Sequence, residues 1–232
     1  MNPTCGWFGK MAALGDFSAR RLPPEFVQRC DEWLSRGVQA SRQQLGEHWL
    51  PTYLRAPLWR FAWSPGIAGP QWWMGVMMPS VDNVGRYFPL LIAQPSPCAP
   101  DSGTDQTALQ RWMDHVAQAA MATLQPGMSV EAFETRLAQA PGWQAAPPVG
   151  LPAAQRLVGR DRFAGQAHPS LAHWLEGVAT AHLHQAVQGQ SLWWLPERSA
   201  AGAGGASGGG SLSMGPGLPA PEHFIDLLQG NW

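Results

Sequence analysis

Leu58-Trp59-Arg60-Phe61-Ala62-Trp63 alternates as a strand does, and Ser64-Pro65-Gly66 behind it supplies turn chemistry. Trp72-Trp73-Met74-Gly75-Val76-Met77-Met78 and Tyr87-Phe88-Pro89-Leu90-Leu91-Ile92-Ala93 follow. Each is a near-continuous apolar run of strand length, the pattern of a strand covered on both faces. Pro89 cannot donate to a ladder, which predicts an edge position or a bulge for the third run. The connections are too short for crossovers, so the three strands are expected to be antiparallel neighbours.

Outward from this block the period changes to that of helices. Phe26, Val27, Cys30, Trp33, Leu34, Val38 and Leu45 recur at helical spacing between Pro23-Pro24, tolerated in a first turn, and Gly46, a stop. Residues 47–56 allow a short helix around Pro51. On the far side a helix is predicted over 105–124, a second from the Ser129 N-cap to before Pro141, and a third from Pro169 to about Gln188. Residues 5–9 and 191–195 read as further strands, and Pro219 to Leu228 as a last helix stopped by Gly230. The expected fold is α/β, a three-layer α/β/α sandwich around a mostly antiparallel or mixed sheet. It is expected to be a single domain over 1–232. Residues 199–217, mostly Gly, Ala and Ser, are expected to be a mobile insertion, because they bury too little apolar area to offset ordering.

Composition narrows the function. Hydrophobic residues are 45% of the 232, charged residues only 13%, and the formal charge is -1, with Lys10 the single lysine among fifteen cations. No net field draws in nucleic acid or anionic lipid. No apolar run reaches the ~18 residues of a membrane span. No basic, then apolar leader is seen, and Cys5, Cys30 and Cys98 are odd in number and widely spaced, so a cytoplasmic, reducing setting is expected. The thirteen tryptophans imply an aromatic core or an adhesive face. Trp72-Trp73 and Trp193-Trp194 are read as strand residues directed to opposite sides.

Catalytic signatures are missing. There is no phosphate-binding G-x-x-x-x-G-K-[ST] and no H-E-x-x-H. Gly205-Ala206-Ser207-Gly208-Gly209 has the letters of a nucleophile elbow, but in a low-complexity tract. His168, His173, His182 and His184 lack ligand spacing. No cofactor and no metal are expected.

Two loops stand out: Gly15-Asp16-Phe17-Ser18-Ala19-Arg20-Arg21, and Pro79-Ser80-Val81-Asp82-Asn83-Val84-Gly85-Arg86-Tyr87-Phe88-Pro89. Each sets a carboxylate and a guanidinium a few residues apart beside a glycine. Either Asp caps a turn and pairs with Arg, or the loops form a recognition surface. Arg60, on an apolar strand, faces solvent or reaches a carboxylate such as Asp16 or Asp82. Asp16 and Arg86 are expected in one buried or half-buried polar cluster with Ser80, Asp82 and Arg60 nearby.

These pieces together resemble the type VI secretion-associated TagF (ImpM) family. The resemblance runs through Gly6-Trp7-Phe8-Gly9-Lys10, Leu14-Gly15-Asp16-Phe17, Arg20-Arg21-Leu22-Pro23 and Asp31-Glu32-Trp33-Leu34. It continues in Ala56-Pro57-Leu58-Trp59-Arg60-Phe61 and is strongest in Pro79-Ser80-Val81-Asp82 with Val84-Gly85-Arg86-Tyr87-Phe88-Pro89-Leu90. Ser191-Leu192-Trp193-Trp194 and Gly217-Leu218-Pro219 look like it too. The resemblance implies a cytoplasmic accessory protein of the secretion apparatus, a post-translational repressor of assembly or firing that binds a forkhead-associated scaffold protein, with no enzymatic activity. The alternative is a small-ligand-binding protein or enzyme using the Asp16/Arg20 and Ser80/Asp82/Arg86 loops. If Asp16, Asp82 and Arg86 line a concave pocket with perturbed carboxylates, the second gains; if they are mutually paired and flat, the first gains.

Overall fold

The computed structural model describes residues 5–100, 105–143, 153–157, 160–164, 170–195 and 210–232. The strands are β1 (Gly6–Gly9), β2 (Ser18–Arg20), β3 (Trp59–Trp63), β4 (Trp72–Met78), β5 (Leu90–Ser96), β6 (Ala153–Leu157), β7 (Arg160–Ala164), β8 (Gln190–Leu195) and β9 (Ser211–Pro216). The helices are α1 (Pro24–Leu45), α2 (Trp49–Tyr53), α3 (Gln106–Ala122), α4 (Val130–Ala138), α5 (Leu171–Ala186) and α6 (Phe224–Gln229). Seven strands form one antiparallel sheet in the order β2-β1-β5-β4-β3-β8-β9, and β6 pairs with β7 apart from it.

The three apolar runs at the heart of the sequence are neighbours in this sheet, as expected. Successive side chains of a strand point to opposite faces, and the buried residues divide accordingly. Ala62, Met74, Val76 and Ile92 pack with Trp112, Met113 and Val116 of α3 and Phe133 of α4. Phe61, Trp63, Trp73, Leu91 and Trp193 pack with Phe26, Trp33 and Leu34 of α1 and Phe224 and Leu227 of α6. Trp72 and Trp73 are both buried, one in each cluster. Tryptophan donors also fasten the chain end: Trp33 Nε1 donates to the Pro219 carbonyl at 2.8 Å, and Trp59 Nε1 to that of Leu227 at 2.8 Å. The predicted caps are present, with Ser129 Oγ accepting from the Ala132 N–H and Gly230 left-handed behind α6.

Three readings need correction. The third run begins at Leu90, because Tyr87 belongs to the preceding loop, where it bridges Val81. That strand is no edge: it lies between β1 and β4. Pro89 stands before it, and Pro95 within it lies beyond Leu90–Ala93, the stretch β1 pairs, so neither proline breaks a ladder. Finally, residues 199–209 of the tract expected to be mobile lie outside the described residues, but Ser211–Pro216 are β9, paired throughout with β8. A strand at a sheet edge is held by backbone hydrogen bonds and requires no buried side chains, so composition concealed it. The short strand β2 and the β6–β7 hairpin were also not anticipated.

Candidate functional site

The site grows out of the loop between β4 and β5. Its turn closes on itself: the Asp82 N–H donates to the Arg86 carbonyl at 3.1 Å and the Gly85 N–H to the Asp82 carbonyl at 3.1 Å, with Gly85 at φ +82°. Asp82 Oδ1 accepts from the Val84 N–H at 3.1 Å and the Arg86 N–H at 2.8 Å. Asp82 Oδ2 accepts from Lys10 Nζ at 2.7 Å and Arg86 Nε at 2.7 Å. Four donors thus use the roughly four lone-pair positions a carboxylate offers. Tyr53 braces the loop from α2: its hydroxyl donates to the Ser80 carbonyl and accepts from the Ser80 N–H, both at 3.0 Å. The Asn83 N–H donates to the Leu14 carbonyl at 2.9 Å and the Arg86 guanidinium to that of Gly15, which ties the two charged loops together.

The Asp82 side chain is fully buried and that of Lys10 only 5% exposed. Burial alone would raise the Asp82 carboxyl, but Lys10, the Arg86 and Val84 N–H groups and the Arg86 guanidinium outweigh it and hold it well below the usual carboxylate range. Burial pushes the Cys5 thiol up to about 12 and raises that of Cys30 further, which leaves neither a nucleophile at neutral pH.

Beside this ion-pair cluster lies a groove of about 640 Å³ between α1 and the loop. Lys10, Phe17, Arg42, Arg86, Tyr87 and Phe88 are among its lining residues. Arg42 lies over the Trp49 ring, 4.2 Å from its centroid.

The expected cluster is therefore only half right. Asp82 and Arg86 meet, whereas the Ser80 backbone bonds to the Tyr53 hydroxyl and the Phe88 N–H, and its buried hydroxyl has no partner among the described residues. Asp16 is at the rim, 82% exposed and 3.9 Å from Arg86, and it accepts from its neighbour, the Phe17 N–H, at 2.8 Å. Arg20 and Arg60 lie elsewhere for one reason, the two-residue period of a strand. Arg20 is opposite Trp7 in the ladder and shares its side of the sheet; it is 3.9 Å from Glu134 of α4, which also accepts from Trp7 Nε1 at 2.6 Å. Arg60 falls between Trp59 and Phe61, which face α1, so it points the other way, and its guanidinium pairs with Asp114 of α3, not with Asp16 or Asp82. Sequence reasoning missed Lys10, Tyr53 and Arg42. The signal for Lys10 was its solitude: the single lysine of the chain, beside a glycine.

The Arg60–Asp114 pair yields a contrast. Arg60 is 5% exposed, with Nε unsatisfied, whereas Asp114 is 46% exposed. Arg60→Met should stay within about 1 kcal/mol of the parent, because a buried ion is exchanged for an apolar chain of similar length. Asp114→Ala should cost about 1–2 kcal/mol, because it leaves the guanidinium without its partner. Urea unfolding of both variants checks the order.

A family model described as the TagF N-terminal domain, type VI secretion system-associated, matches residues 6–140, more than half of the chain. The chain belongs to this family. Among solved structures, PA0076 from Pseudomonas aeruginosa PAO1, a crystal structure at 2.05 Å resolution, is similar to it. The two are 37% identical, with a TM-score of 0.72, over 97% of this chain and 94% of that one. No curated protein matches. The matched TagF segment contains Lys10, Arg42, Asp82 and Arg86, and with them the ion-pair cluster and the groove beside it. The chain is thus a type VI secretion-associated protein. Among the described residues no helix is long and apolar enough to cross a membrane.

Proposed function

We propose that this TagF-family chain is a non-catalytic accessory protein of the type VI secretion system, a post-translational repressor of its assembly or firing. It acts in the cytoplasm by binding a forkhead-associated scaffold protein. The observation that carries this reading is the state of Asp82. Its carboxylate accepts four hydrogen bonds, and the donors hold it well below the usual carboxylate range, which suits holding a loop in shape, whereas an acid–base catalyst needs a proton it can exchange near neutral pH. We also infer a three-layer α/β/α sandwich, supported by the division of the buried side chains into two clusters with different helices in each.

Titration calorimetry of the purified chain into the scaffold protein tests the reading. A saturable complex is expected, together with reduced effector release from cells that overproduce the chain. Absence of binding at high micromolar concentration would refute it. The volume of the groove favours a second reading, a small-ligand-binding protein, since such sites span ~300–1,000 Å³. A small carboxylate that raises the melting temperature in proportion to the logarithm of its concentration would support that one.

A further inference from the structure

We propose that the groove between α1 and the residue 79–89 loop takes an acidic segment of a partner protein, with one carboxylate against Arg42 and Arg86 and an adjoining apolar side chain laid on Phe17 and Phe88. This rests on the reading of the chain as a protein-binding module and names the surface that would do the binding.

Charge comes first. Three cations line the groove, Lys10, Arg42 and Arg86. Lys10 and Arg86 share the buried Asp82, and Asp16 stands 3.9 Å from Arg86 at the rim. Three positive charges against two negative leave an excess of one. That suits a monoanionic carboxylate better than a phosphoryl group carrying about two charges. The free charge is Arg42, whose guanidinium has no carboxylate partner among the described residues. Its Cζ lies 4.2 Å from the Trp49 ring centroid, a cation–π contact that leaves its N–H groups to meet a carboxylate in the planar, two-pronged manner of arginine.

The apolar half is also ready-made. Phe17 is 45% exposed, a large side chain left in water beside the groove. It is not loose: its ring stacks on Phe8 at 6.2 Å and meets the edge of Phe88 at 4.7 Å, with Lys10 Nζ over its face at 4.7 Å. An aromatic held rigid before binding gives up little conformational entropy when a partner covers it. Ser35 to Gln43 of α1 border the groove, which gives it a length of about 12 Å. That is room for about three or four extended residues, so the fitting occupant is a short stretch of chain.

The test is selection of a peptide library displayed on phage against the whole chain, followed by polarisation titration of the enriched peptides. Asp or Glu next to an aromatic or aliphatic residue should dominate. Arg42→Glu should weaken the best peptide by roughly tenfold or more with an unchanged melting temperature. Gln39→Glu, on the same exposed face and clear of Trp49, should weaken it in the same direction even if Arg42→Glu proves unstable. Replacing the peptide's carboxylate residue by phosphoserine should gain nothing. A selection that returns no acidic peptides, or no binders, overturns the proposal. So does unchanged affinity in both variants, or a phosphopeptide that binds tenfold tighter. The two readings separate in one further measurement, binding of the partner proposed above. No binding by the wild-type chain sinks the function while the peptide result stands, and full binding by Arg42→Glu sinks the groove alone.

Discussion

Asp82→Ala lowers the melting temperature by about 10 °C or more, the expected result of leaving Lys10 buried beside a cavity and releasing the turn at Val84 and Arg86. Lys10→Met should cost less, because Arg86 and two backbone N–H groups still hold the carboxylate. The pH dependence follows from the depressed Asp82 carboxyl. In the unfolded chain an aspartate takes up its proton near pH ~3.9, and in the folded chain only at lower pH. As the pH falls, the unfolded state therefore binds the proton first. The stability Asp82 supplies is complete above about pH 5 and is lost as the pH drops towards its folded value. Chemical denaturation between pH 6 and 2 should show a shallower acid loss in Asp82→Asn than in wild type. Identical slopes would mean that the carboxylate is not held in its ionised form.

Gly75→Ala is the second large effect, about 3 kcal/mol or more of lost stability, with Gly75→Val failing to accumulate as folded protein. Gly75 sits in the middle of β4, opposite Phe61 on one side and Ala93 on the other. A Cβ there would stand 2.1 Å from the Ile92 carbonyl oxygen and 2.5 Å from the tip of the Phe61 ring. The ring crosses the strand where no side chain stands in its way, and it stacks on Trp63 at 4.2 Å. Trimming Phe61 to Leu in the Gly75→Ala background should recover only part of the loss, since the carbonyl is backbone and cannot rotate away. Near-wild-type urea midpoints for Gly75→Ala would show that the sheet opens easily at this point.

Much of the fold was legible because its causes are local. The run Trp72–Met78 became a strand over those same residues, since it is apolar on both of its faces and its side chains are buried in two different clusters. The cap at Ser129 and the stop at Gly230 need only their own backbone neighbours. The turn at Asp82 was legible for the same reason: its carboxylate caps N–H groups two and four residues on. At the end of the Gly/Ala/Ser tract composition misled. The Gly/Ala/Ser tract reads as lacking a core, yet its last residues became β9, because the edge of a sheet recruits backbone.

By itself the sequence determined the element types outside β2, β6, β7 and β9, the antiparallel run β3–β4–β5, the Asp82–Arg86 turn and, through family motifs, the association with type VI secretion. The tertiary structure decided the partners. Lys10 reaches Asp82 across 72 residues of chain, Arg60 reaches Asp114 across 54, and Arg42 of α1 lines one groove with Arg86 of a distant loop. Contacts at such separations leave no period and no spacing in a sequence. Each is specified by the packing of whole elements, and it takes form only when the two halves of the core close on the sheet.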